Sequence, residues 1–220
     1  MPVIIEILSS GRPFPLQITN LTVDELDPSV VTFDDGATKH IFIAYRKTSK
    51  VSPDGLTGGV NVWVAHTTLD AGGLPVLPFT YSVVSNTNDD PNDLRLIRMH
   101  SGTYLNRVVL TWTGSDPAET NPDATSWARI AYADPPYAAW TIRTIQKNEG
   151  SLQPCNTARV SFPLFRVAGG GAGQIIYVWE TLANTAGCTT LSAVTTNAKI
   201  STDGGSTWGV TTQVFPPPGN

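Results

Sequence analysis

Cysteine is nearly absent from this chain: there are two among 220 residues, Cys155 and Cys188. Two are too few for a disulfide scaffold, and their spacing fits no zinc motif. They read either as buried thiols or as one bridge. Charge is also scarce. Asp, Glu, Lys and Arg make up 15%, against roughly 25% in an average soluble domain, which argues against long solvated helices. The net charge of −4 offers no basic footprint for a nucleic acid. No apolar run approaches the roughly 18–20 residues that cross a bilayer. The opening "MPVIIEILSSGRP" lacks a basic leader and is interrupted by Glu6, so it does not read as a signal peptide. His40, His66 and His100 are scattered without metal-ligand spacing. "AGGGAG" (168–173) precedes a strand pattern, not the helix N-terminus that a phosphate cradle needs. No metal and no cofactor are expected.

What the sequence does hold is Gly and Pro punctuation, with 19 and 17 residues, between short alternating segments. Three of these match: "HIFIAYRK" (40–47), "RVVLTWTG" (107–114) and "QIIYVWET" (174–181). Their aromatics Tyr45, Trp112 and Trp179 are 67 residues apart in both intervals. Before each comes a segment opened by Pro28, Pro91 or Pro154, again equally spaced at 63. A third segment follows each ("VNVWVAHT", "SWARIAYA", "TTNAKIS"), and then a fourth ("FTYSVVS", "WTIRTIQ", "GVTTQVF"). Period-two alternation and β-branched content make all of these strands. The unit is therefore a four-stranded antiparallel meander, repeated over 28–86, 87–149 and 150–215. Such a unit buries its faces only by packing on neighbours, which makes it a blade of a β-propeller. A β-sandwich of the same strands is the alternative. Residues 1–27 add a lone outer strand and a loop, and 216–220 a Pro-rich tail.

Between the third and fourth strands of the last unit lies "STDGGSTW" (201–208). It resembles the Asp-box, or bacterial neuraminidase repeat, of sialidase-like propellers, whose pattern is Ser/Thr-x-Asp-x-Gly-x-Thr-Trp/Phe. Ser201, Asp203, Gly205, Thr207 and Trp208 fill every position. "TLDAGGLP" in the first unit keeps Thr68, Asp70 and Gly72, and the middle unit keeps only Asp134 and Trp140. The carboxylate is expected to accept hydrogen bonds from its own hairpin, the glycines to supply φ > 0, and Trp208 to plug the blade. The resemblance implies a structural turn on the rim opposite the ligand face, and a ring of six blades. Three blades do not close alone, so self-association or further blades from a longer chain are expected.

The longest polar segments, 10–27, 47–59, 86–93, 114–126 and 182–190, fall on the other rim, where binding usually resides. Cys155 and Cys188 fall there too; bridged, they would place the chain outside the cell or on its surface. Sialidase chemistry, as the resemblance implies it, needs an arginine cluster, a Tyr–Glu pair and an acidic residue. Arg46 and Glu180 end second strands, and Asp93 and Arg95 lie on an opening strand, so these are the candidates; no nucleophile stands out. Tyr104 and Tyr137 are candidate sugar-stacking rings. The expected function is a non-catalytic extracellular module that binds glycan or protein on the loop-rich rim. The alternatives are a self-assembling structural subunit and a sialidase-like glycoside hydrolase or its remnant.

Overall fold

The computed structural model describes residues 4–9, 12–17, 25–47, 61–85, 91–115, 126–147, 158–166, 173–185 and 190–215. Within them every regular element is a strand, and no helix is long and apolar enough to cross a membrane. Strands β1 (Ile4–Ser9) and β2 (Arg12–Gln17) pair as a hairpin. The first sheet runs β3 (Glu25–Asp34), β4 (Lys39–Lys47), β5 (Asn61–Leu69), β6 (Thr80–Ser85). The second runs β7 (Asn92–Arg98), β8 (Val108–Ser115), β9 (Ser126–Ala133), β10 (Thr141–Lys147). The third runs β11 (Ala158–Arg166), β12 (Gln174–Thr185), β13 (Thr190–Ser201), β14 (Thr212–Phe215).

The fold is all-β and propeller-like. Each four-stranded sheet is a meander of consecutive strands in chain order, and among the described strands none crosses to another sheet as a sandwich with Greek-key connections requires. The expected lone N-terminal strand differs, because Arg12–Gln17, expected as loop, pairs with it residue for residue. Within the expected loop at 182–190, residues 182–185 and 190 are strand. The β12–β13 ladder continues through Leu182↔Val194 to Thr185↔Thr190, past the point where β11 and β14 stop. Pro163 stands within β11, which is tolerable because β11 is an edge of its sheet. Cys155, Cys188 and most of the long polar segments lie outside the described residues.

The chain forms two compact units, 1–97 and 98–220, with the boundary inside β7. In the first, β4 is buried on both faces, as a central strand between apolar layers must be. Ile41, Ile43 and Tyr45 pack with Trp63, Ala65 and Phe79, and with Leu69 and Val83. His40 and Phe42 alternate onto the opposite face. Lys47 is buried as well, its ammonium 5.1 Å from the centre of the Trp63 ring. In the second unit Val109, Leu110, Trp112 and Ile130 fill the centre of the second sheet, and β11 packs against β8 and β9.

Candidate functional site

The turn at 201–208 is built around one carboxylate. Asp203 Oδ1 accepts the Thr207 amide at 2.8 Å and the Ser201 hydroxyl at 2.8 Å, and Oδ2 accepts the Thr207 hydroxyl at 2.6 Å. The Ser201 hydroxyl in turn accepts the Gly205 amide at 2.8 Å, and Gly209 N donates to Ile200 O to close the hairpin. Gly204 and Gly205 stand at φ +66° and +95°, where an L side chain is strained. Trp208 folds beneath, edge-on to Tyr177 of β12 with centroids 6.3 Å apart. Partial burial works to raise the Asp203 pKa, but the bonds from Thr207, Ser201 and Ser206 outweigh it and the net shift is downward. A carboxylate so engaged is a poor proton donor.

This turn is docked on the second sheet through Arg107. The guanidinium makes a two-pronged pair with Asp134, Nε–Oδ1 and Nη2–Oδ2 both 2.7 Å, and Nη1 donates to Gly204 O at 2.7 Å. It lies between the rings of Tyr104 and Tyr132, at 4.2 and 4.1 Å. A β-carbon on Gly204 would stand 2.7 Å from Arg107 and Tyr104, and one on Gly205 2.7 Å from Ile130. Tyr132 also meets Ser206 at 3.1 Å, and Lys199 Nζ reaches Ile145 O at 2.8 Å. Arg107 is the residue that reading the sequence missed. Its signal was there: His40, Arg107 and Gln174 are polar residues opening the same strand at intervals of 67.

The Asp70 turn repeats the carboxylate bond but not the backbone, its positive φ lying at Gly73 rather than directly after the aspartate as at Gly204 and Gly205. Asp70 Oδ1 accepts the Leu74 amide at 2.8 Å, the same four-residue reach as Asp203 to Thr207. Its surroundings differ. Nothing among the described residues lies within 4 Å of a β-carbon placed on Gly73, and only Asp70's own carboxylate approaches one on Gly72. An open cleft of about 260 Å³ lies beside it, lined by Asp34, Lys39, Leu69 and Asp70 among others.

Next to that cleft three titratable side chains form a chain. Asp35 Oδ2 is 3.0 Å from His40 Nε2, and His40 Nδ1 is 3.2 Å from His66 Nε2. Phe42 stacks on His66 with centroids 3.9 Å apart. The amides of Ala37 and Thr38, with His40, hold the Asp35 pKa down at about 2. Burial, reinforced by the charge of His40, lowers that of His66 to about 4. Among the described residues no group of three His, Cys, Asp or Glu is placed to hold a metal ion.

The catalytic candidates are only partly brought together. Arg46 Nε is 2.9 Å from Asp27 Oδ2, and Nη1 donates to Pro91 O at 3.3 Å, which ties the end of β4 to the start of β7. Asp93 sits in β7 at φ +54°. Arg95 is exposed, with Nη1 3.4 Å from Leu94 O. The Glu180 side chain lies outside the described residues, although its backbone pairs with Thr196. Neither proposed stacking ring is free: Tyr104 covers Arg107, and Tyr137 is buried with its hydroxyl donating to Asn106 O at 3.0 Å.

No protein-family model matches the chain, and no curated protein matches it in sequence. Among solved structures it is similar to Zg3597, a family 117 glycoside hydrolase produced by the marine bacterium Zobellia galactanivorans, at 13% identity and a TM-score of 0.43. The match covers 85% of this chain and 55% of that one, so the chain spans little more than half of that hydrolase.

Proposed function

We propose that the chain is an Asp-box propeller module with a non-catalytic, extracellular recognition role, taking glycan or protein on the rim opposite the Asp203 turn. One observation supports this reading: one catalytic candidate, Arg46, and the carboxylates of the Asp-box turn and its clamp are engaged in holding the chain together. Arg46 is committed to Asp27 and a backbone carbonyl, Asp203 to its own hairpin, and Asp134 to Arg107. Glycoside hydrolysis needs a carboxyl pair with one member able to give up a proton. A carboxylate stabilised by several donors is tuned the opposite way.

Two measurements on the same preparation test the reading. A glycan array including sialylated and neutral oligosaccharides is expected to show binding, and a fluorogenic sialoside no turnover. Turnover that disappears in Arg95→Ala or Asp93→Ala would replace this reading with the hydrolase one.

A further inference from the structure

Two opening strands meet within the first compact unit, β3 of the first sheet and the start of β7. Arg46 Nη1 donates to Pro91 O at 3.3 Å, and the Leu96 amide donates to Ser29 Oγ at 2.8 Å, so β7 is tied beside β3 at two points. Each strand carries one aspartate near these ties in the left-handed region, Asp27 at φ +53° and Asp93 at φ +54°. In β3 this is a bulge: Asp27 and Pro28 stand between the partners of Arg46 and Ala44, where one residue would fit. Bulges re-aim the side chains they carry. The β4–β5 ladder shows which end of the sheet this is. Lys39 pairs with Leu69 beside the Asp70 turn, and Lys47 pairs with Asn61 at the far end, next to Arg46. The ties therefore lie on the rim opposite the Asp-type turn.

One carboxylate and one guanidinium here are bound to each other, Asp27 Oδ2 to Arg46 Nε at 2.9 Å. The other two are not. Leu94 and Leu96 are buried, whereas Asp93 is half-buried and Arg95 exposed, so Asp93 and Arg95 project from the outward side of β7. Among the described residues the Asp93 carboxylate has no hydrogen-bond or ion partner, and the Arg95 guanidinium meets only the Leu94 carbonyl, at 3.4 Å. A carboxylate accepts from two hydroxyls at once, and a guanidinium donates in a fork. Side by side they suit adjacent hydroxyl groups on a sugar ring. The formal charges of Asp27, Asp93, Arg46 and Arg95 cancel, so nothing in the group favours an acidic sugar over a neutral one.

We propose that Asp93 and Arg95, framed by the Asp27–Arg46 pair, hold adjacent hydroxyls of a neutral glycan. This rests on the recognition reading above and gives it a seat and a ligand class. Asp27 and Arg46 are positioning residues, acting through the tie to Pro91.

A printed array of neutral oligosaccharides and their sialylated counterparts tests it on wild type and two variants. Asp93→Asn removes the charge and keeps a residue that tolerates positive φ. Arg95→Gln changes an exposed side chain. Wild type is expected to bind neutral oligosaccharides, and each variant to lose at least about tenfold in apparent affinity, with melting curves unchanged. Should Asp93→Asn lower the melting temperature, Arg95→Gln carries the comparison. Neutral binding that survives both substitutions overturns this seat and leaves the recognition reading standing. Binding confined to the sialylated members overturns the ligand class. A wild type that binds nothing on the array removes the recognition reading and this proposal with it.

Discussion

The Asp203 and Asp70 turns share one carboxylate bond and differ in both backbone and surroundings. Both bend the chain with an aspartate that accepts an amide four residues on. Around Asp203 the motif is complete, with Ser201 and Thr207 adding hydroxyl bonds and Trp208 packing beneath. The whole turn is then pressed on Arg107, Tyr104 and Ile130. Around Asp70 the Thr–Trp pair is replaced by Leu74–Pro75, and no described residue lies within 4 Å of a β-carbon placed on Gly73. The carboxylate bond alone therefore does not set the shape of the turn, and the docked turn differs from the other in its glycine positions, its hydroxyls and its receiving sheet.

Substitution of one positive-φ glycine in each turn gives the largest contrast. Gly73→Ala carries only the cost of positive φ, about 1 kcal/mol, because no described residue lies within 4 Å of the added β-carbon. Gly204→Ala adds a collision with Arg107 and Tyr104 and is expected to cost about 3 kcal/mol. Equal losses in urea unfolding would mean that the turn and the second sheet are not pressed together. Removing the receiver comes next. Arg107→Leu leaves Asp134 and the Gly204 carbonyl without their donor. The expected loss is about 2–3 kcal/mol, at the lower end for a broken ion pair because Asp134 is half-exposed. A melting temperature within a degree or so of wild type would show the clamp to be ornamental.

The legibility of these parts followed their physics. Strand alternation and the spacing of Tyr45, Trp112 and Trp179 expose the three meanders, because every blade must bury the same positions. The Asp203 turn is equally open to reading, since all the hydrogen bonds to its carboxylate lie within eight consecutive residues. Arg107 is another matter. Its partners Asp134 and Gly204 are 27 and 97 residues away, and no local pattern announces a contact between blades. Strand β2 was hidden for a related reason: "RPFPLQ" holds two prolines and reads as a loop, yet an isolated two-stranded hairpin leaves edges where proline is tolerated.

A smaller contrast separates the aspartates themselves. Asp203→Ala removes bonds from one amide and two hydroxyls and is expected to cost about 1–2 kcal/mol. Asp70→Ala removes the Leu74 amide bond and is expected to cost about 0.5–1 kcal/mol. If the two losses match in denaturant titrations, the added hydroxyls of the complete motif contribute nothing.

The smallest expected effect compares the first and second sheets at one shared position. Phe42↔His66 in the first sheet corresponds to Val109↔Tyr132 in the second, so His40 and His66 stand where Arg107 and Tyr132 stand. His40 Nδ1 and His66 Nε2 face each other at 3.2 Å, where one hydrogen between them makes a bond and two make a clash. An added proton breaks that order. His66 protonates near 6.5 in the unfolded chain but only at about 4 in the folded one, so between those values the unfolded state binds more protons. Stability from this group is complete above 6.5 and falls as pH drops through the window. Asp35 acts lower, its contribution being lost only as pH falls from 3.8 towards about 2. Because His66 is partly exposed, the slope is a fraction of the ~1.4 kcal/mol per pH unit of one fully coupled proton. His66→Phe keeps the stacking on Phe42 and removes the titration. The stability difference between wild type and this variant should therefore shift against wild type from pH 7 to about pH 5. If the two stability profiles run parallel, the histidine pair is ordinary packing, and the two sheets differ in shape alone.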